Sequence, residues 1–363
     1  MMTREQRLGE REVKRILHKE ELKRLEEDSK KLDQNEARLS ANNRVEVNHV
    51  AIAKAFDERS KLSPEEYESL TRELVRNLGD VGQIRDFDIS QIRDLLRRGA
   101  NPNGLESSPH RTTQNTPIGL AAKSARCLAV LLEYGVDISA EMKVYSARGQ
   151  KSQITALGIA AQRLDPRAVK MLLLAGANVN GPENGTSPIH AFLTSPAHGI
   201  ISTVWRAGDR IEILSLLAAH GANVNEIRGR WSTALQWVCS IPETDVPAYS
   251  IKAVVEQLLR YGARPNIHGG HHGSAIHAAV TVLNFNAVQL LLQHDADPGL
   301  RATCTFTGRS NLFHTRRTRY ETVTPLELLD KLWLAYSKGG RSRALKIRML
   351  LEEAIRHWPS SNV

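Results

Sequence analysis

The pentapeptide Gly-Ala-Asn-Val-Asn occurs twice in this chain, at 176–180 and at 221–225, each time just after a leucine-rich stretch. Looser copies of the same step are "LLRRGANPN" (95–103), "LLEYGVDIS" (131–139), "LLRYGARPN" (258–266) and "LLQHDADPG" (291–299). Between them stands a second motif: "TPIGLAA" (116–122), "TALGIAA" (155–161), "SPIHAFL" (187–193), "TALQWVC" (233–239), "SAIHAAV" (274–280) and "TPLELLD" (324–330). The two alternate without a miss from Leu95 to Asp330. Such self-similarity restricts the fold to repeated units that bury their apolar faces only against their neighbours.

Each residue type in the motifs has a physical role. The Thr or Ser hydroxyl caps a first helix, and Pro is tolerated in its first turn, where a missing N–H costs nothing. The pairs Ala121/Ala122, Ala160/Ala161 and Ala278/Ala279 let helices approach closely. Gly99, Gly135, Gly176, Gly221 and Gly262 stand where a second helix ends, a place that favours positive φ. Asp295 takes the glycine's place in the last copy, and Asp is one of the better substitutes there.

These residues resemble the ankyrin repeat family, whose unit reads T-P-L-H-x-A-A, then a second helix ending L-L, then G-A-D/N-x-N. The resemblance covers about residues 88–330 and rests on both motifs recurring in order. It implies an all-α solenoid, with partners meeting the turn tips and the face made by the first helices. "KLSPEEYESLTRELVRNL" (61–78) has Glu66 at the capping-box position after Ser63, and Leu70, Leu74 and Leu78 on one face. It pairs with "DISQIRDLL" as a degenerate first unit. "TPLELLDKLWLAY" and residues 343–358 make the last unit, so about seven helix pairs are expected over 61–360. "TSPAHGIISTVWRAGDR" (194–210), "SIPETDVPAYS" (240–250) and the stretches 139–154 and 299–324 are read as loop insertions.

Residues 1–60 form a charged N-terminal extension, helical by composition. Leu25, Leu32 and Leu39 repeat at seven, but the partner seam Leu22, Ser29, Glu36 is apolar only once, so any coiled coil is weak. The order is similar to fungal regulators that join a basic leucine-zipper region to ankyrin repeats. The dense basic run of such a region is missing from 1–40, which hold 11 Lys/Arg against 10 Asp/Glu.

The beginning of the chain, "MMTREQRLGEREVKR", has no apolar stretch of signal-peptide type, and no segment approaches the roughly 18 apolar residues of a membrane span. Cys127, Cys239 and Cys304 are far apart and never form a CxxC pair. An intracellular protein of the cytoplasm or nucleus, monomeric and without disulfides, is expected. No nucleotide, metalloprotease or nucleophile-elbow motif is present, so neither cofactor nor catalysis is expected. The cluster "GGHHGSAIH" (269–277) lacks a complete, well-spaced ligand set. His190 and His277 sit at the His position of the repeat motif and are read as structural hydrogen-bonding groups.

The net charge of +9 is local: residues 301–350 hold 11 Lys/Arg against 3 Asp/Glu. Within "FTGRSNLFHTRRTRY" (306–320), Phe313 stands beside Arg316, Arg317 and Arg319, a pattern suited to an acidic partner or to RNA. Arg228, Arg230 and Trp231 in "EIRGRW" are of the types richest in interface energy. With His271 and His272 on the turn before the last full repeats, these nine residues are the candidate partner contacts. A protein partner, acidic in character, is expected first; nucleic acid bound through the basic C-terminal segment is the alternative, with a role in transcription.

Overall fold

The computed structural model describes residues 47–80, 89–104, 116–145, 151–183, 185–193, 207–228, 232–242, 248–309, 316–333 and 338–358. The zipper-spaced leucines of residues 1–46, and Arg230, Trp231 and Phe313, lie outside the described residues.

The described chain is mostly helical. α1 (His49–Ser60) precedes α2 (Pro64–Asp80) and α3 (Ile89–Arg97); next come α4 (Pro117–Ala121) with α5 (Ala125–Glu133), and α6 (Ala156–Gln162) with α7 (Pro166–Leu174). α8 (Pro188–Ala191) precedes α9 (Ala207–Ala219), α10 (Ala234–Cys239) precedes α11 (Ala248–Arg260), and α12 (Ala275–Thr281) precedes α13 (Phe285–Gln293). α14 (Pro325–Leu332) and α15 (Lys338–His357) end the series. The first helices α2, α4, α6 and α8 pack on one another in order, as do α10, α12 and α14, with His190 of α8 bonded to Ser232 just before α10; the second helices form a layer behind them.

Capping sets where the helices begin. The hydroxyls of Thr116, Thr155, Thr233 and Thr324 accept from the backbone N–H three residues on. Thr233–Gln236 and Thr324–Glu327 complete full capping boxes, as do Ser63 and Glu66 at the start of α2. The core is aliphatic, with Leu96, Leu128, Leu172, Leu217, Leu258 and Leu291 all fully buried in successive second helices. After the second helices, Gly99, Gly135, Gly176, Gly221 and Gly262 have positive φ, and so does Asp295 at +61°.

The described residues are mostly helical, as expected, but two of the stretches read as loop insertions are antiparallel hairpins: β1 (Glu141–Tyr145) with β2 (Lys151–Thr155), and β3 (Ala302–Arg309) with β4 (Arg316–Val323). The basic stretch read as a loop therefore contains a two-stranded ribbon, in which the hydroxyls of the facing Thr303 and Thr322 lie 3.0 Å apart. α1, which falls in the charged extension by sequence, lies along α3. Its start is held by Asn48 N–H donating to Glu133 O (3.0 Å), and its end by Arg59 Nε donating to Gly99 O (3.2 Å).

Candidate partner-binding surface

The turn tips are held in register by asparagine. In each Gly-Ala-Asn-x-Asn turn the first Asn or Asp folds back on its own tip. Asn101, Asn178 and Asn223 accept from the N–H two residues on, at 3.0–3.1 Å. The second Asn reaches the next unit: Asp137 N–H donates to Asn103 Oδ1 (2.7 Å), Asn223 N–H to Asn180 (2.9 Å), Arg264 N–H to Asn225 (2.7 Å) and Asp297 N–H to Asn266 (2.9 Å). Asn225 and Asn266 also donate to Gly262 O and Asp295 O, each at 2.9 Å. Sequence alone did not reveal this ladder, although the constant spacing of the two amides was its signal. One rung is missing: Ser139 takes the Asn position, and its hydroxyl turns back to Asp137 Oδ1 (2.6 Å).

In three of the first-helix motifs the fourth residue ties down the chain of the next unit. His190 Nδ1 takes the hydroxyl of Ser187 (2.7 Å) while its Nε2–H donates to Ser232 O (3.0 Å). His277 repeats this with Ser274 (2.7 Å) and Val323 O (2.9 Å), the last residue of β4. Gln236 Nε2 donates to Ile267 O (2.7 Å) in the third case. Burial pushes the pKa of His190 down and that of His277 down to about 4, so both rings are neutral with the proton on Nε2. They are structural groups. Gly119 and Gly158 stand at the same position in α4 and α6, and there β1–β2 fills the space: a Cβ on Gly119 would lie 2.0 Å from Met142 Sδ, and one on Gly158 2.6 Å from Ile154 Cγ1.

The β3–β4 ribbon is held at its base on both sides. Thr305 N–H donates to His271 O (3.1 Å) and the Cys304 thiol to His272 O (3.1 Å). Gly273 has no room for a side chain, since a Cβ would lie 2.8 Å from that of Ala302. On the other side Glu321 takes both Arg319 Nε (2.9 Å) and the Lys331 ammonium, which holds its carboxyl below the usual range. Arg301 bonds Glu327 (3.2 Å) and Thr322 O (3.1 Å). Further out the ribbon is open: the Arg319 side chain is 80% exposed and Tyr320 is 70% exposed. Arg316 and Arg317 lie in β4 opposite Arg309 and Gly308.

The other candidates divide. Arg228 is turned inward: its guanidinium donates to Pro182 O, to Gly185 O (2.9 Å) and to Glu226 Oε1 (2.6 Å), leaving the side chain 16% exposed. It staples two neighbouring tips. His271 and His272 are half-buried, their rings edge to face at 5.1 Å, and it is their carbonyls that carry the ribbon. Cys127, Cys239 and Cys304 are buried free thiols, and burial raises all three, Cys304 to about 12, so none is a nucleophile near neutral pH. Among the described residues no group of three or more His, Cys, Asp or Glu is placed to hold a metal ion. No helix among them is long and apolar enough to cross a membrane. A groove of about 890 Å³ beside α1 is lined by Lys54, Arg93 and Arg97 but equally by Asp57, Glu58 and Glu133, so it favours neither sign of charge.

A solved structure similar to this one is the human ASB11 ankyrin repeat domain, with a TM-score of 0.47 and 19% identity, covering 79% of this chain and 98% of that one. The neighbour is an ankyrin repeat domain. Homo sapiens CAP-Gly domain-containing linker protein 3 is 32% identical over 142 residues, 36% of this chain and 23% of that protein. The proteins of the same name from Pongo abelii and Mus musculus match to the same extent. The chain thus covers about a quarter of the length of these curated relatives. No protein-family model matches it.

Proposed function

We propose that this chain is an ankyrin repeat protein of seven helix pairs that binds another protein and catalyses nothing by itself. The observation that carries the reading is the asparagine ladder, joined to the alternating motifs. It fixes successive tips in register while leaving their outward residues free to vary, which suits recognition rather than turnover. The likeness to a protein named as a linker is consistent with protein binding. On this reading the β3–β4 ribbon is the chief contact, its arginines attracting an acidic partner. Arg230, Trp231 and Phe313 are further contacts on this reading by their residue types alone, and Arg228 contributes by shaping its tip. The protein is a monomer of the cytoplasm or nucleus, where buried free thiols persist reduced.

The test uses the full chain and the triple variant Arg316→Ser, Arg317→Ser, Arg319→Ser. A purified acidic protein partner should bind the natural chain faster at low salt and lose that salt dependence in the variant. The basic ribbon with its exposed tyrosine also fits a second reading, in which the ligand is RNA or DNA. Nucleic-acid binding with a steep salt slope, abolished in the triple variant, would replace the first reading with the second.

A further inference from the structure

We propose that the outer edge of β4 takes up an extended acidic peptide segment of the partner as an added β-strand. The inference rests on the protein-binding reading and specifies how the ribbon would bind.

The register shows which edge is open. Thr305 faces Tyr320, and Thr305 N–H is directed away from β4, to His271 O. Residues directly opposite in an antiparallel pair share one hydrogen-bonding class, so the backbone N–H and C=O of Tyr320 also point away from β3. The same alternation turns out the backbone groups of Thr318 and Arg316, opposite Thr307 and Arg309. Thr322 O, in the same class, is capped by Arg301, which closes the edge at the base of the ribbon and leaves it open beyond. Among the described residues β4 pairs with β3 alone. The outer edge of β3, by contrast, is occupied by the 271–273 turn.

Charge decides the occupant. The ribbon strands carry Arg309, Arg316, Arg317 and Arg319 against a single acid, Glu321, and that acid is already engaged by Arg319 and Lys331. A second copy of β4 laid along this edge would bring arginines together, and like charges on facing strands repel. An acidic strand meets the opposite sign at the same positions. Main-chain bonds would supply the hold, and the arginines the choice of sequence.

The probe is a fluorescent nine-residue peptide alternating Glu with Val, titrated into the full chain and read by anisotropy. Two further peptides carry N-methyl groups on alternate amides in opposite phases, which leaves charge unchanged. Only one phase faces the edge, so that phase should weaken binding about thirtyfold or more, from two or more lost hydrogen bonds, while the other stays within about twofold. Tyr320→Pro, which removes an outward N–H that β3 does not use, should abolish binding with the thermal midpoint unchanged. Should that variant fold poorly, the two methylated peptides decide the matter on the natural chain. Equal binding of both phases, or no binding of the unmodified peptide, overturns the strand mechanism. If a purified folded partner is still bound in that event, the scaffold reading stands; if only RNA binds, both fall.

Discussion

The two hairpins enter the array at the same kind of joint, between the turn after a second helix and the next first helix, and meet different fates. β1–β2 has five-residue strands and sends Met142 and Ile154 inward, 6% and 1% exposed, onto Gly119 and Gly158. β3–β4 has eight-residue strands, is gripped at its base by His277 and the 271–273 turn, and carries Arg319 and Tyr320 outward. The difference tracks one position, the fourth residue of the preceding first-helix motif. Where it is glycine, the insertion fills the vacated volume and becomes core. Where it is histidine, the ring already fills that volume and offers one hydrogen bond, so the insertion is anchored at a point and the remainder stays outside.

Four experiments would break or sharpen this contrast, and the largest effect is expected from acid. His277 is held neutral by burial, with a pKa of about 4 against an unfolded value near 6.5. The folded value is the lower one, so the unfolded chain binds more protons below pH 6.5. Stability is therefore complete above that pH and is lost as pH falls toward 4, by on the order of 2–3 kcal/mol. His190 shifts in the same direction and adds to the slope. Thermal melts from pH 7 to pH 4 should show the loss, and His277→Gln should flatten it; an unchanged slope would mean the ring does not anchor the ribbon.

Next comes the packed hairpin. Gly119→Val should cost about 1–3 kcal/mol in denaturant melts, since the new side chain overlaps Met142. Adding Met142→Ala should recover part of that loss, and strictly additive penalties would show that the two groups are not in contact. A smaller effect belongs to the ladder: Asn225→Ala removes an acceptor for Arg264 N–H and a donor to Gly262 O, about 1–2 kcal/mol on a largely exposed site. The smallest is expected on the display side. Replacing Arg316, Arg317 and Arg319 together by Ser should move stability by no more than about 0.5 kcal/mol, because surface changes of this kind rarely do more. A large destabilisation would mean that β3–β4 is structural after all.

Helix starts, helix ends and the aliphatic core were legible in the sequence because they depend on local chemistry. The capping threonines, the Ser63–Glu66 box and the positive φ of Asp295 each need only a few consecutive residues. What stayed hidden depends on residues far apart. Arg228 reads as an exposed interface residue until Pro182 and Gly185, in the preceding tip, bring carbonyls to its guanidinium. The ribbon is obscured by its arginines and by a pairing that only tertiary anchoring makes stable, since an isolated hairpin is marginal in water. Leu164 and Leu283 adopt positive φ (57° and 56°), which leucine resists, and nothing in their identity announces it. Both are buried, and each immediately precedes the residue that caps the next helix, Asp165 or Asn284, so burial and capping together hold a conformation that propensity opposes.

The missing rung at Ser139 has a mechanical meaning. Hydrogen bonds resist sliding because they are directional, whereas apolar side chains pressed together tolerate small displacements at little cost. Four joints of the stack carry an asparagine tie at the tips; at the joint from Ser139 to Asn178 the tie is made by the hairpin instead, with Thr186 N–H donating to Gln153 O (2.7 Å) and the Ser152 and Thr186 hydroxyls 2.9 Å apart. Where asparagine gives way to serine, a strand takes over the lacing, so sideways load at that joint passes through β2 and Thr186 rather than through the turn itself.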